Sequence, residues 1–185
     1  MALESSNLTK NQQTVLNILE KSTFPKFNSI DGLVYFPGTI NLKPFNTLKM
    51  EDFSNDYAIN VMGLINIIQH YHSNLNKNSS LVFISSIAAK IGLKFHASIA
   101  MCKAAIESLT RTLASEFSPN IRVNCISPSI IETKLSSRIL RNETIKHKII
   151  NDNPMKRIGR PDDIAHAIEF LLSEKSSWIT GQSIS

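Results

Sequence analysis

Polar groups from three places in the chain stand where an enzyme would want them. The apolar run Leu81-Val82-Phe83-Ile84 ends in two hydroxyls, Ser85 and Ser86, and a loop then leads into a helical pattern from His96 to Phe117 that carries Lys103 near its start. An exposed serine at a strand end, followed by a loop and a lysine-bearing helix, is how an α/β enzyme gathers polar groups at the carboxyl edge of its sheet, where such folds bind ligands. Asn60 is the third, lying on the seam Phe53, Tyr57, Leu64, Ile68, Tyr71 of an amphipathic helix. The structural alternatives are a strand that simply ends in serines, a solvated Lys103, and an Asn60 whose amide bonds the backbone and bends its helix. A serine hydrolase is excluded, because no Gly-x-Ser-x-Gly elbow surrounds either serine.

The elements that must position these groups follow from periodicity. Helical spacing predicts a surface helix over 9–22, a long helix over 49–75 and another over 99–117. Compact apolar runs predict strands near 31–36, 80–85 and 122–127, with a short fourth strand at 181–185. The mixed, polar stretch 132–153 is too long for a plain loop and reads as a helical lid. Pro161-Asp162-Asp163 opens a last helix, with proline in the first turn and acids where the helix dipole favours them. Strands alternate with helices, so the expected fold is α/β: a Rossmann-like parallel sheet with helices on both faces, in a single domain over 1–185.

Composition narrows the class. The chain has 185 residues, 42% of them hydrophobic and 19% charged, with a net charge of +5. These values suit a soluble globular protein. No apolar run has the length of a membrane span and the amino end lacks a secretory pattern, so a cytoplasmic protein is expected. Cys102 and Cys125 have no metal-ligand or disulfide spacing, and no metal is expected. Lys and Arg are scattered along the sequence without a basic run interleaved with aromatics, which argues against a nucleic-acid partner.

The same residues carry a family resemblance. In the short-chain dehydrogenases/reductases a Ser at a strand end is followed thirteen positions later by Tyr and four after that by Lys; Ser86 and Lys103 keep that spacing, and the Tyr position is Ile99. Asn60-Val61-Met62-Gly63, Arg122-Val123-Asn124, Arg157-Ile158-Gly159-Arg160-Pro161-Asp162-Asp163 and Trp178-Ile179-Thr180-Gly181-Gln182 resemble family motifs in the family's order. Where the family has Asn-Asn-Ala-Gly this chain has Tyr35-Phe36-Pro37-Gly38. The resemblance implies an NAD(P)-dependent oxidoreductase acting on a carbonyl or alcohol. It puts Asn60, Ser86 and Lys103 at catalytic positions, and Gly38, Lys103, Pro128 and Thr133 against the cofactor. It also implies a homo-oligomer built on the two long helices.

The departures matter as much. In the family the Tyr is the proton donor, and a phenol near pKa 10 works near neutrality only beside a cation. Ile99 has no proton, and losing a positioned acid costs about 10²- to 10⁴-fold in rate. His96 is a weak substitute, three residues away and in another direction on the helix entry. The segment Phe95-His96-Ala97-Ser98-Ile99 also resembles a divergent branch of the family without Tyr. The glycines, at 32, 38, 63, 92, 159 and 181, are too far apart for a Gly-rich pyrophosphate turn. The chain is therefore expected to correspond to the carboxyl two thirds of a family member, to bind NAD or NADP poorly by itself, and to be either an inactive oxidoreductase piece or a non-catalytic subunit.

Overall fold

Strand β2 (Leu75–Ile84) is apolar at consecutive positions from Leu81 onward because both its faces are covered. Successive strand residues point to opposite faces. Leu81 and Phe83 accordingly join Leu64, Ile67, Tyr71 and Ile106 in one core, while Val82 joins Ile168 and Leu171 in a second. One run of sequence thus serves two cores.

The computed structural model describes residues 17–185 and shows four parallel strands in the order β1 (Ile30–Tyr35), β2, β3 (Arg122–Ile126) and β4 (Ser183–Ile184). Helices α2 (Gly63–Tyr71) and α3 (Ala97–Phe117) pack on one face, and α1 (Met50–Tyr57) packs against α3. Helix α6 (Pro161–Leu172) covers the other face. The parallel sheet with helices on both faces matches the sequence expectation. The helix expected over 9–22 falls largely outside the described residues; its end there is a turn followed by the 3-10 segment Lys21–Thr23. The lid stretch holds two short helices, α4 (Ser137–Leu140) and α5 (Glu143–Asp152).

The helix expected over 49–75 is a correction. It is interrupted by a π-helical turn at Ala58–Met62, and it ends at Tyr71 so that β2 starts at Leu75. The cause of the interruption lies in two side chains. Asn60 Nδ2 donates to the carbonyl of Asp56 four residues back, at 2.8 Å, and the Tyr35 hydroxyl of β1 donates to the carbonyl of Ile59, at 2.5 Å. Backbone groups loosened by a π turn are thereby satisfied. Gly63 permits the close approach, since a Cβ there would meet Tyr35 Oη at 2.4 Å.

The motif Arg122-Val123-Asn124 ties the carboxyl-terminal elements to the sheet. The Arg122 guanidinium donates to the carbonyls of Leu171, Leu172, Ser173 and Ser176, capping the end of α6. Asn124 donates to Ile179 and accepts from the Gln182 backbone, holding the chain that leads into β4. Among the described residues no helix is long and apolar enough to cross a membrane.

Candidate active site

Parallel strands send all their outgoing loops to one edge of the sheet, and the polar candidates meet there. Gly38 and Thr39 follow β1, Ser85 and Ser86 follow β2, Asn60 comes from the π turn and Lys103 from the second turn of α3. Lys103 is 7% exposed, and its Nζ donates to the carbonyl of Ile84, the last residue of β2, at 2.9 Å. An ammonium has three donors, so two have no partner among the described residues. Burial pulls its pKa down to about 8.

Asn60 is fully buried and spends both amide hydrogens, one on the Asp56 carbonyl and one on Thr39 Oγ1 at 2.9 Å. Its Oδ1 has no partner among the described residues. Buried acceptors are rarely left so, and one beside a site asks for a ligand or water. A Cβ at Gly38 would stand 3.3 Å from this Oδ1 and 3.4 Å from Lys103 Nζ. Glycine thus keeps open the space over which both groups stand.

Two carboxylates that sequence reasoning missed organise the surroundings. Asp56 is buried and accepts from Thr39 Oγ1 at 2.5 Å and Ser98 Oγ at 2.6 Å. Thr39 therefore turns its lone pair toward the Asn60 amide, and the amide's orientation is fixed. Glu107 Oε1 accepts from Ser85, Ser127 and Ser183, at 3.1, 2.6 and 2.9 Å, joining the ends of β2, β3 and β4. Burial works to raise its pKa, but the three hydroxyls and nearby Lys90 outweigh it and hold the carboxyl below its usual range. Lys103 and Glu107 are spaced i,i+4, which favours an ion pair on an exposed helix face; here they serve different neighbours and form none. The signals available in sequence were an acid on each apolar seam, at Asp56 and Glu107.

Comparison with known proteins shows the family of the chain. A family model described as enoyl-(acyl carrier protein) reductase matches residues 10–185. The chain is 34% identical over 179 residues to a 7alpha-hydroxysteroid dehydrogenase of Escherichia coli K12, covering 95% of this chain and 69% of that protein. The chain belongs to the short-chain dehydrogenase/reductase family. It is also 38% identical over 131 residues to tropinone reductase-like 3 of Erythroxylum coca, covering 69% of this chain and 50% of that protein. Among solved structures it resembles a short-chain dehydrogenase/reductase of Brucella melitensis, with a TM-score of 0.81 and 36% identity over 84% of this chain and 63% of that one. The chain thus spans from half to about two thirds of the length of these relatives.

Against the family pattern, the remaining positions divide. Ser86 Oγ accepts from the Ala88 backbone at 3.2 Å and caps the 3-10 turn Ile87–Ala89, while its own hydrogen meets no protein acceptor among the described residues. Ile99 is 5% exposed and packs with Val61 and Cys102 in a small apolar cluster. His96 bonds through Nδ1 to the carbonyl of Lys94, at 2.7 Å, and no hydrogen bond links it to Asn60, Ser86 or Lys103. The carbonyl of Pro128 accepts from the Ile87 backbone at 3.1 Å. Thr133 is exposed, in a turn where its backbone N–H donates to Ser136 Oγ at 3.0 Å. The Cys102 thiol, pushed up to about 11 by burial, is no nucleophile. Among the described residues no group of three His, Cys, Asp or Glu could hold a metal.

A dinucleotide fits this site in part. The unpartnered Asn60 Oδ1 and the free donors of Lys103, facing a space that a Cβ would fill, suit a polar ligand end rich in hydroxyls and amide groups. The widely spaced glycines form no pyrophosphate cradle.

Proposed function

We propose that this chain carries the carbonyl-binding part of an NAD(P)-dependent oxidoreductase that interconverts a carbonyl and an alcohol. The observation that carries this reading is the convergence of buried, unpartnered Asn60 Oδ1 and partly spent Lys103 Nζ on the open point at Gly38. Gly38, Lys103, Pro128 and Thr133 are the positions that would hold the nicotinamide and ribose end of NAD or NADP. When bound, that cofactor supplies or accepts a hydride at the substrate carbon. Ser86, with its hydroxyl hydrogen unspent, orients the carbonyl oxygen. Lys103 offers positive charge and two donors, and Asn60, locked by Thr39 and Asp56, presents an acceptor that holds a water or ligand hydroxyl in place. Ile99 supplies no proton, so the reaction by this chain is slow or silent.

Affinity follows the same accounting. A few hydrogen bonds, each worth about 0.5–1.5 kcal/mol net, stand against about 4–15 kcal/mol for immobilising a ligand. NADH and NADPH should bind this chain weaker than micromolar by calorimetry, while saturation-transfer NMR should show contact at the nicotinamide and ribose protons. A micromolar dissociation constant overturns the expected weakness; silence at those protons overturns the site.

A second reading, a non-catalytic member acting as an oligomer subunit or binding protein, is favoured by the core packing of Ile99. Its partner would be a second copy seated on the groove of about 510 Å³ between α2 and α3, lined by Ile65, Ile68, Leu109, Leu113 and Phe117. The outer edge of β1 also pairs with no strand among the described residues. Light scattering tests this: Leu113→Glu should lower the mass in solution, and a monomeric native chain at high concentration sinks it.

A further inference from the structure

The fold collects charge that the sequence scatters. Between the end of each strand and the next helix packed on the sheet or against α3 lie residues 36–49, 85–96 and 127–160, and because the strands are parallel all three segments sit at the carboxyl edge. They carry twelve Lys and Arg against three Asp and Glu, a net of +9, whereas the rest of the chain carries eight against twelve, a net of −4. The net charge of +5 is thus the small difference between a strongly basic rim and an acidic body.

Most of the rim is the segment after β3, and it is anchored where it would act. Its two ends are tied together by the parallel bridge Ile131 to Gly159, with the Glu132 backbone donating to Gly159 at 2.8 Å and the Gly159 backbone donating to Ile130 at 3.2 Å. Within it Arg157 is neutralised by Asp163, and Lys146 stands near Glu143. Lys134, Arg138, Arg141 and Lys148 form no salt bridge among the described residues. Charges held at one edge reinforce each other over a Debye length of about 8 Å at physiological salt. Such a rim concentrates and steers anions toward the sheet edge it surrounds, and guanidinium groups match carboxylate and phosphate oxygens.

We propose that the substrate taken at this edge is an oxyanion: a carbonyl or alcohol compound bearing a carboxylate or a phosphate, drawn in by the basic rim. The carbonyl part rests on the function proposed above; the preference for an oxyanion stands on charge and topology alone.

Three probes that share an acetoacetyl group test it: acetoacetate, acetoacetyl-coenzyme A and neutral ethyl acetoacetate. Their binding to the full chain is followed by NMR at low and high salt. At least one anionic probe should bind about tenfold tighter than the neutral ester at low salt, with the advantage shrinking as salt rises. Acetoacetate winning assigns a carboxylate, and the coenzyme A ester winning assigns a phosphate. Arg138→Glu combined with Arg141→Glu should abolish the advantage, whereas Arg111→Glu, exposed on α3 and outside the rim, should leave it. Equal affinity for charged and neutral probes, binding of none, or an equal loss from Arg111→Glu overturns the proposal. So does a double variant that weakens NADPH alone, which would assign the rim to the cofactor. Nicotinamide contact is read separately, so loss of the carbonyl site and loss of the oxyanion preference appear in different measurements.

Discussion

Asn60 and Lys103 converge on residue 38 from different elements: a Cβ at Gly38 would stand 3.3 Å from the unpartnered Asn60 Oδ1 and 3.4 Å from Lys103 Nζ. A methyl group there removes the ligand space and stands tight against the Asn60 amide, which must give by a few tenths of an ångström to accept it. Gly38→Ala should leave the thermal midpoint within a few degrees of native and erase the saturation-transfer signal from the nicotinamide end of NADH. A variant that keeps the signal would show that ligands do not enter over Gly38.

Lys103 predicts a stability profile with a definite sign. Burial lowers its pKa to about 8 in the folded chain, against about 10.4 when unfolded. Below pH 8 both states are protonated and the folded state bears the full burial penalty. Between pH 8 and about 10 the unfolded state holds more proton, so stability from this group rises with pH, by about 3 kcal/mol over the window. Lys103→Met lacks this rise. Urea unfolding at pH 7, 8.5 and 10 should show the variant's relative stability greatest at pH 7 and falling thereafter; parallel profiles would refute the assignment.

Much of this was legible from periodicity. The two-faced burial of β2 and the body of α3 from Ile99 to Phe117 follow from their apolar patterns, while its first two residues, Ala97 and Ser98, do not. Asn60 was legible as a bend, by bonding the backbone of its own helix, but not as a π turn, because that also needs Tyr35 from β1, whose hydroxyl reaches the Ile59 carbonyl 24 residues away. Asp56 and Glu107 escaped notice because an acid on an apolar seam is explained only by its partners. Those lie 17 and 42 residues from Asp56, at Thr39 and Ser98, and 76 residues from Glu107, at Ser183. The basic rim was hidden for the same reason: its residues are dispersed in order and gathered only by parallel topology.

Glu107 holds three strand ends through one oxygen, and its lowered pKa makes that hold sensitive to acid. A carboxyl whose folded pKa lies below its unfolded value contributes stability above about pH 4.3 and loses it as pH falls through the folded value. Glu107→Gln should cost about 1–3 kcal/mol at pH 7, the scale of hydrogen bonds to a charged group. The gap between native and variant should narrow from pH 5 to pH 3 in urea unfolding. A gap that stays constant would mean the serines are not bonded to an ionised carboxylate.

On the function proposed above, Ile99 is the position that decides between the enzyme and the subunit. Its side chain packs with Val61 and Cys102, four residues before Lys103 on the same helix. Ile99→Tyr would put a phenol one helical turn from the buried ammonium, at an overpacking cost of about 1–3 kcal/mol. If the phenol reaches past the apolar cluster toward Lys103, the cation stabilises its anion and it should titrate below 10 in an ultraviolet difference titration. Carbonyl reduction at equal, fixed NADPH should then rise by about 10²- to 10⁴-fold over the native chain, the usual worth of a positioned acid. A phenol titrating above 10 would show that residue 99 is sealed in the core with Val61 and Cys102. A phenol that titrates low without any gain in reduction would instead mark Asn60, Ser86 and Lys103 as retained for structure, and would favour the subunit reading over the enzyme.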